Sequence, residues 1–191
     1  MEEYNICFIN EAPEIREQAV KILLESFHAD EMWPDLDEKK ARETVNDSVD
    51  DKNICIGLKV ENELAGWVCL SPMYGKIKNE ETWYLHPLAI STKFKGRGYG
   101  KILMLEIEKL AQEKNIIGIL LGSGDEANKT SLSDKDIIGE NVPDEIKNIK
   151  NYKNHPYEFY QKCGYSIVGI VPNGYGLRRT DIWLWKDIRK K

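Results

Sequence analysis

Residues 82–105 read TWYLHPLAISTKFKGRGYGKILML, and the reading of this stretch decides the architecture. Residues 82–90 are apolar through most of their length and predict a strand. Lys95-Gly96-Arg97-Gly98-Tyr99-Gly100 is a glycine-rich turn with two cations. From there the stripe Tyr99, Leu103, Ile107, Leu110 and Ala111 predicts an amphipathic helix over 99–114. A turn of this kind gathers backbone N–H groups and the positive end of the helix dipole at one spot. That suits a phosphate or pyrophosphate, so the expected ligand is a nucleotide-containing cofactor.

Two common phosphate loops are excluded by spacing. A dinucleotide fingerprint needs a third glycine where Lys101 stands, and the Lys129-Thr130 pair follows Asn128 where a P-loop needs glycine. What remains is the pattern [RQK]-x-x-G-x-G after a strand, here Lys95, Gly98 and Gly100.

Outward from this centre, residues 4–9 read as a strand, and Pro13 opens a helix with apolar positions Ile15, Ala19, Ile22, Leu23 and Phe27. A second helix is expected over 38–49, after a turn around Trp33-Pro34-Asp35. Strands over 53–60 and 64–70 flank a hairpin turn at 61–63, and 71–79 is expected to be a loop. Pro87 has no N–H for a ladder, which predicts a bulge or splaying inside the strand over 82–90. Residues 116–121 form a short apolar strand; 122–151 is polar, with helical turns expected near Ile137 and Ile146. Pro156 starts a helix through Lys162 with Gly164 as its cap, and strands over 165–171 and 180–186 close the chain. The expectation is a single α/β domain over 1–191, with a central mixed sheet flanked by helices.

Composition bounds the function. The chain has 191 residues, is 41% hydrophobic and carries a net charge of −5, which argues for a globular protein and against a nucleic-acid partner. No run of 18 apolar residues and no signal-like N-terminus is present, so neither a membrane partner nor export is expected, and the cytoplasm is the expected compartment. Cys7, Cys55, Cys69 and Cys163 form no C-x-x-C pair, and the three His add no ligand spacing. Free, mostly buried thiols and no metal are expected. Residues 11–51 hold thirteen acids against five bases. That excess is either a solvated helical face or a field that attracts a cationic substrate.

The turn pattern and the order β-α-α-β-β-β-α-β-α-β-β resemble the GCN5-related N-acetyltransferase (GNAT) superfamily. Four stretches narrow the likeness: Trp83-Tyr84-Leu85-His86-Pro87-Leu88; Leu121-Gly122-Ser123-Gly124-Asp125 with 130–133; His155-Pro156-Tyr157-Glu158-Phe159-Tyr160-Gln161-Lys162-Cys163-Gly164-Tyr165; and Val171-Pro172-Asn173 with Asp181-Ile182-Trp183. Together they resemble the chromosomal type of bacterial aminoglycoside 6′-N-acetyltransferase.

The resemblance implies acetyl transfer from acetyl-CoA to a primary amine. Lys95, Gly96, Arg97, Gly98, Tyr99, Gly100 and Lys101 would hold the pyrophosphate, and Leu88, Ala89 and Ile90 would meet the thioester, with the Leu88 N–H as oxyanion donor. Tyr160 would protonate the leaving thiolate. A phenol near pKa 10 is matched closely enough to a thiol near 8.5 for that transfer. The matching enzymes carry a glutamate where this chain has Tyr84. Glu81 (or its neighbour Glu80) through water, His86, and bulk water are then the alternatives for the base. Trp83, Tyr84, Asp125, Glu126 and Asp181 are candidates for contacts to a polycationic small-molecule amine. The resemblance also implies a homodimer; Trp183 and Trp185 belong either to its interface or to the core of a final strand. Two alternatives stay open: transfer to another amine, such as a polyamine, an amino acid or a protein N-terminus, and acetyl-CoA binding without turnover.

Overall fold

The computed structural model describes residues 3–29, 33, 35–73 and 80–190. The chain divides into two compact units, residues 1–119 with 188–191 and residues 120–187.

The first unit carries β1 (Tyr4–Phe8), α1 (Pro13–Ala29), α2 (Glu38–Ser48), β2 (Ile54–Val60), β3 (Glu63–Pro72), β4 (Thr82–Ile90) and α3 (Tyr99–Glu113). The strands lie in the order β1-β2-β3-β4, each antiparallel to the next. Capping fixes the start of α2: the Asp37 carboxylate accepts the Lys40 N–H at 2.7 Å. Alternation along the strands makes two apolar faces. One carries Cys7, Cys55, Trp67, Cys69 and Ala89 and packs against Ile15, Ala19, Leu23, Ala41 and Val45 of α1 and α2. The Trp67 indole N–H donates to the Ala19 carbonyl at 3.1 Å, so this ring is buried without an orphaned donor. The other face is covered by α3, whose Leu103, Met104 and Ile107 are wholly buried. Each such side chain contributes about 1.5–3 kcal/mol.

The second unit carries most of β5 (Gly118–Gly124), then α4 (Val142–Lys147), α5 (Tyr157–Lys162), β6 (Ser166–Val171) and β7 (Asp181–Asp187). Its strands lie in the order β5-β7-β6, with β6 and β7 antiparallel.

Every expected helix and strand is present within a few residues. The strand expected over 116–121 starts two residues later because Asn115, at φ +57°, still belongs to the turn after α3. The expected loop over 71–79 begins later than foreseen, since Ser71 and Pro72 extend β3; residues 74–79, like Pro34 of the expected turn, lie outside the described residues.

Candidate active site

β4 is irregular where Pro87 predicted it. Leu85 stands opposite Leu70 and Leu88 opposite Val68, so His86 and Pro87 together oppose Cys69. This two-against-one arrangement is a bulge, and it returns Leu88 to the face that Leu85 occupies. Trp83 shares that face and is 1% exposed, so it is a core residue and offers no surface to an acceptor. Tyr84 lies on the other face, half-buried opposite Ser71, whose hydroxyl donates to the Tyr84 carbonyl at 3.4 Å. His86 keeps solvent access although protein surrounds much of it, and desolvation moves its pKa below the usual histidine value. Its ring lies 6.1 Å from that of Trp33. Glu81 is half-buried, and its carbonyl accepts the Ile117 N–H at 3.1 Å.

Beyond β4 the chain turns through Thr92–Phe94 and enters α3. Phe94 anchors the turn: it is buried, meets Tyr99 edge-on at 5.9 Å, and has the Lys93 and Arg97 cations 5.0 and 5.4 Å from its ring centre. Tyr99 is therefore a core side chain, and only its backbone can serve a ligand here. Gly96 and Gly98 have φ of +77° and +88°, where a side chain would be strained. Gly98 is the N-cap residue of α3, and the first helical turn contains no acid. Gly96, Arg97, Gly98 and Lys101 are exposed, while Lys95 and Gly100 are half-buried. Left-handed glycines, cations and an acid-free helix start fit a pyrophosphate.

In the second unit Asp125 is fully buried. It accepts the Lys129 and Thr130 N–H groups at 2.6 and 2.8 Å, and the Thr130 and Ser133 hydroxyls at 2.7 and 2.5 Å. Burial alone would raise its pKa, but these bonds hold it below the usual aspartate value. The side chain expected to meet an amine thus closes the loop over 125–133 instead. Glu126 is half-buried beside it. Asp181 differs: the Trp183 indole N–H donates to Oδ2 at 2.6 Å, Oδ1 is buried without a hydrogen-bond partner among the described residues, and desolvation raises its pKa. Trp183 and Trp185 are half-buried.

Tyr160 sits in the middle of α5, half-buried, with its ring 5.2 Å from Phe159 and 6.2 Å from Tyr165. Gly164, at φ +91°, follows this helix as expected of a C-terminal glycine. The start of α5 depends on a residue that sequence reasoning assigned no role. His155 is 2% exposed; its Nε2 donates to the Gly124 carbonyl at 3.1 Å and its Nδ1 accepts the Tyr157 N–H at 3.2 Å. The histidine-proline pair opening the aromatic block was the available signal.

Cys7, Cys55 and Cys69 are buried, Cys163 is half-buried, and none of the four is in a disulfide. Among the described residues, no group of three or more His, Cys, Asp or Glu is placed to hold a metal ion, and no helix is long and apolar enough to cross a membrane.

The family model for the acetyltransferase (GNAT) family matches residues 16–133, more than half of the chain. The chain therefore belongs to the GNAT acetyltransferase family and is an acetyl-CoA-dependent N-acetyltransferase. Among solved structures it is similar to an aminoglycoside 6′-N-acetyltransferase complexed with coenzyme A, at 29% identity and TM-score 0.86 over 98% of both chains. It is also similar to the aminoglycoside 6′-N-acetyltransferase from Enterococcus faecium, at 30% identity and TM-score 0.84 over 98% of both chains. A third, aminoglycoside 6′-acetyltransferase type Ii, matches at 26% identity and TM-score 0.69 over 99% of both chains. No curated protein matches the chain.

Proposed function

We propose that this enzyme transfers the acetyl group of acetyl-CoA to the 6′-amine of an aminoglycoside. The observation that carries this reading is the likeness over 98% of the chain to two aminoglycoside 6′-N-acetyltransferases.

In this reading the N–H groups of the turn over 95–100, with Lys95 and Arg97, bind the pyrophosphate, and Lys101 adds a cation at the first turn of α3. The Leu88 N–H receives the thioester oxygen as negative charge develops there, and Ala89 and Ile90 complete that wall. The amine attacks the carbonyl, a C–N bond forms, and the C–S bond breaks as Tyr160 gives its phenolic proton to the departing thiolate; the proton then shed by the acylated nitrogen returns to the phenolate, directly or through water. The ammonium proton has to leave first. Desolvation favours the neutral ring of His86, which can accept that proton; Glu81 acting through water is the alternative. Asp181 and Glu126 are the carboxylates proposed for amine contacts. The acidic excess of residues 11–51 favours a polycationic acceptor.

Tyr84 favours a second reading. Without the carboxylate that the resemblance implies at that position, the acceptor could be another small amine. Thiol release from acetyl-CoA, measured with paired aminoglycosides bearing either a 6′-amine or a 6′-hydroxyl, decides between them. Turnover with the amine alone supports the aminoglycoside reading. Turnover with neither, but with spermidine or a peptide amine, replaces it with the second.

A further inference from the structure

Two hydrogen bonds fix the chemical form of His155. A carbonyl cannot donate, so Nε2 carries the proton shared with Gly124; an amide N–H cannot accept, so Nδ1 is bare toward Tyr157. The ring is the neutral Nε2–H tautomer, and a proton on Nδ1 would set two N–H groups against each other.

The helix that receives this bond depends on it. α5 has six residues, too few to stand by itself, and its first N–H groups lack intrahelical partners. Pro156 at the N-cap has no side-chain oxygen, so the imidazole takes the place of a capping group for Tyr157. The carbonyl of Pro156 then accepts the Phe159 and Tyr160 N–H groups at 2.9 and 3.3 Å. Asn151 clamps the backbone of His155 from both sides: Oδ1 accepts its N–H at 2.7 Å and Nδ2 donates to its carbonyl at 3.0 Å. Asn151 in turn bridges to Thr130, which is bonded to Asp125. An unbroken set of contacts thus runs from the end of β5 through one ring to the turn that carries Tyr160.

We propose that His155 is a positioning residue, which aims the Tyr160 phenol by capping the first N–H of α5 through Nδ1, and that this cap opens when Nδ1 is protonated. The inference rests on the reading of Tyr160 as the general acid. Of the groups around the ring, Asp125 favours the charged form and Lys129 opposes it, while Tyr157 lies 5.7 Å away as a neutral ring. Desolvation outweighs the Gly124 hydrogen bond and the Asp125 charge, which both favour the charged form, and keeps His155 below its usual pKa, so the cap opens only on the acid side.

Two substitutions in the full-length enzyme separate the bonds. His155→Asn keeps an acceptor where Nδ1 stands and can form an Asx-turn with the Tyr157 N–H, but it does not titrate. His155→Gln places an amide near Nε2 and leaves the Tyr157 N–H without a partner. The expected result for His155→Gln is a kcat lower by about tenfold at every pH, with KM for acetyl-CoA near wild type. For His155→Asn, kcat should stay within about threefold of wild type at pH 7.5 and lose part of the wild-type decline at low pH. Amide hydrogen-exchange protection of residues 159–163 gives an independent readout. It should fall with pH in wild type, be lost in His155→Gln and persist in His155→Asn. If Tyr160→Phe leaves turnover unchanged, the general-acid reading fails, while the exchange pattern still judges His155. Equal protection at low pH and equal pH profiles in wild type and His155→Asn, or unchanged kcat and protection in His155→Gln, would overturn the proposal.

Discussion

Leu85 and Leu88 occupy the same face of β4 although they are three positions apart, because His86 and Pro87 share one place opposite Cys69. The backbone around the proposed oxyanion donor is therefore set by how β4 lies on β3.

At Gly66 β3 leaves no room for a Cβ beside β4. Gly66 pairs with Ile90, and a Cβ on it would lie 2.5 Å from Ile90 Cδ1 and 2.7 Å from the Ala89 carbonyl oxygen. The Ile90 methyl can move; the carbonyl belongs to β4 itself. Gly66→Ala should destabilise the fold by about 1–3 kcal/mol and raise KM for acetyl-CoA. Thermal denaturation and steady-state kinetics on the same sample check both parts.

At Gly98 the obstacle is conformational. A Cβ there would meet nothing within 4 Å, but φ is +88°. Gly98→Ala should cost about 1–2 kcal/mol of backbone strain, expressed as a several-fold rise in KM for acetyl-CoA with kcat preserved. A fall in kcat at unchanged KM would speak against this turn as the pyrophosphate cradle.

Replacing Tyr160 with Phe removes one oxygen from a half-buried ring and keeps its contacts with Phe159 and Tyr165. The expected outcome is a kcat lower by about 10²-fold with little change in acetyl-CoA affinity. Wild-type turnover in this variant would remove the phenol from the mechanism.

Acid should weaken the second unit in two stages. His155 has a folded pKa below its unfolded value of 6.5, so its neutral form is required and stability declines as pH falls through 6.5. The folded pKa of Asp125 is also lowered, from 3.8, so its contribution is present above that value and is lost as pH falls further. Asp125→Asn should cost about 3 kcal/mol at pH 7, because an amide turns donors toward N–H and O–H groups that need an acceptor. Urea denaturation between pH 2 and 8 tests both residues, with the variant flatter than wild type below pH 4.

Thiol chemistry should distinguish Cys163 from the rest. Cys7, Cys55 and Cys69 are buried, and Cys55 faces Cys69 directly across β2 and β3. Contact with Cys69 and burial drive the Cys55 thiol pKa upward, and burial does the same for Cys7. A thiol reagent should label one cysteine quickly in the native protein and all four after denaturation.

Much of the fold was legible in the sequence where one signal dominated. β4 spans the expected residues and α3 ends one residue early, because an apolar run and a helical stripe are separated by left-handed glycines. Pro87 announced the bulge by lacking a donor. Side-chain direction was harder to read. Trp83 and Tyr84 are neighbours in sequence, yet strand alternation sends one into the core and leaves the other half-buried on the opposite face. Asp125 looked like a substrate contact because acidity alone does not reveal whether a carboxylate faces outward. Thr130 and Ser133, two hydroxyls within eight residues of it, were the clue to an inward role.

A helix usually ends on an oxygen from its own chain, but α3 begins at a glycine with no side chain to offer one. A pyrophosphate oxygen seated at that turn would complete the fold as well as enter the reaction. Coenzyme A would then act as a folding ligand, and the melting temperature would track its concentration by mass action. Because product and substrate share the same pyrophosphate, this support would persist through turnover and lapse only when the site empties.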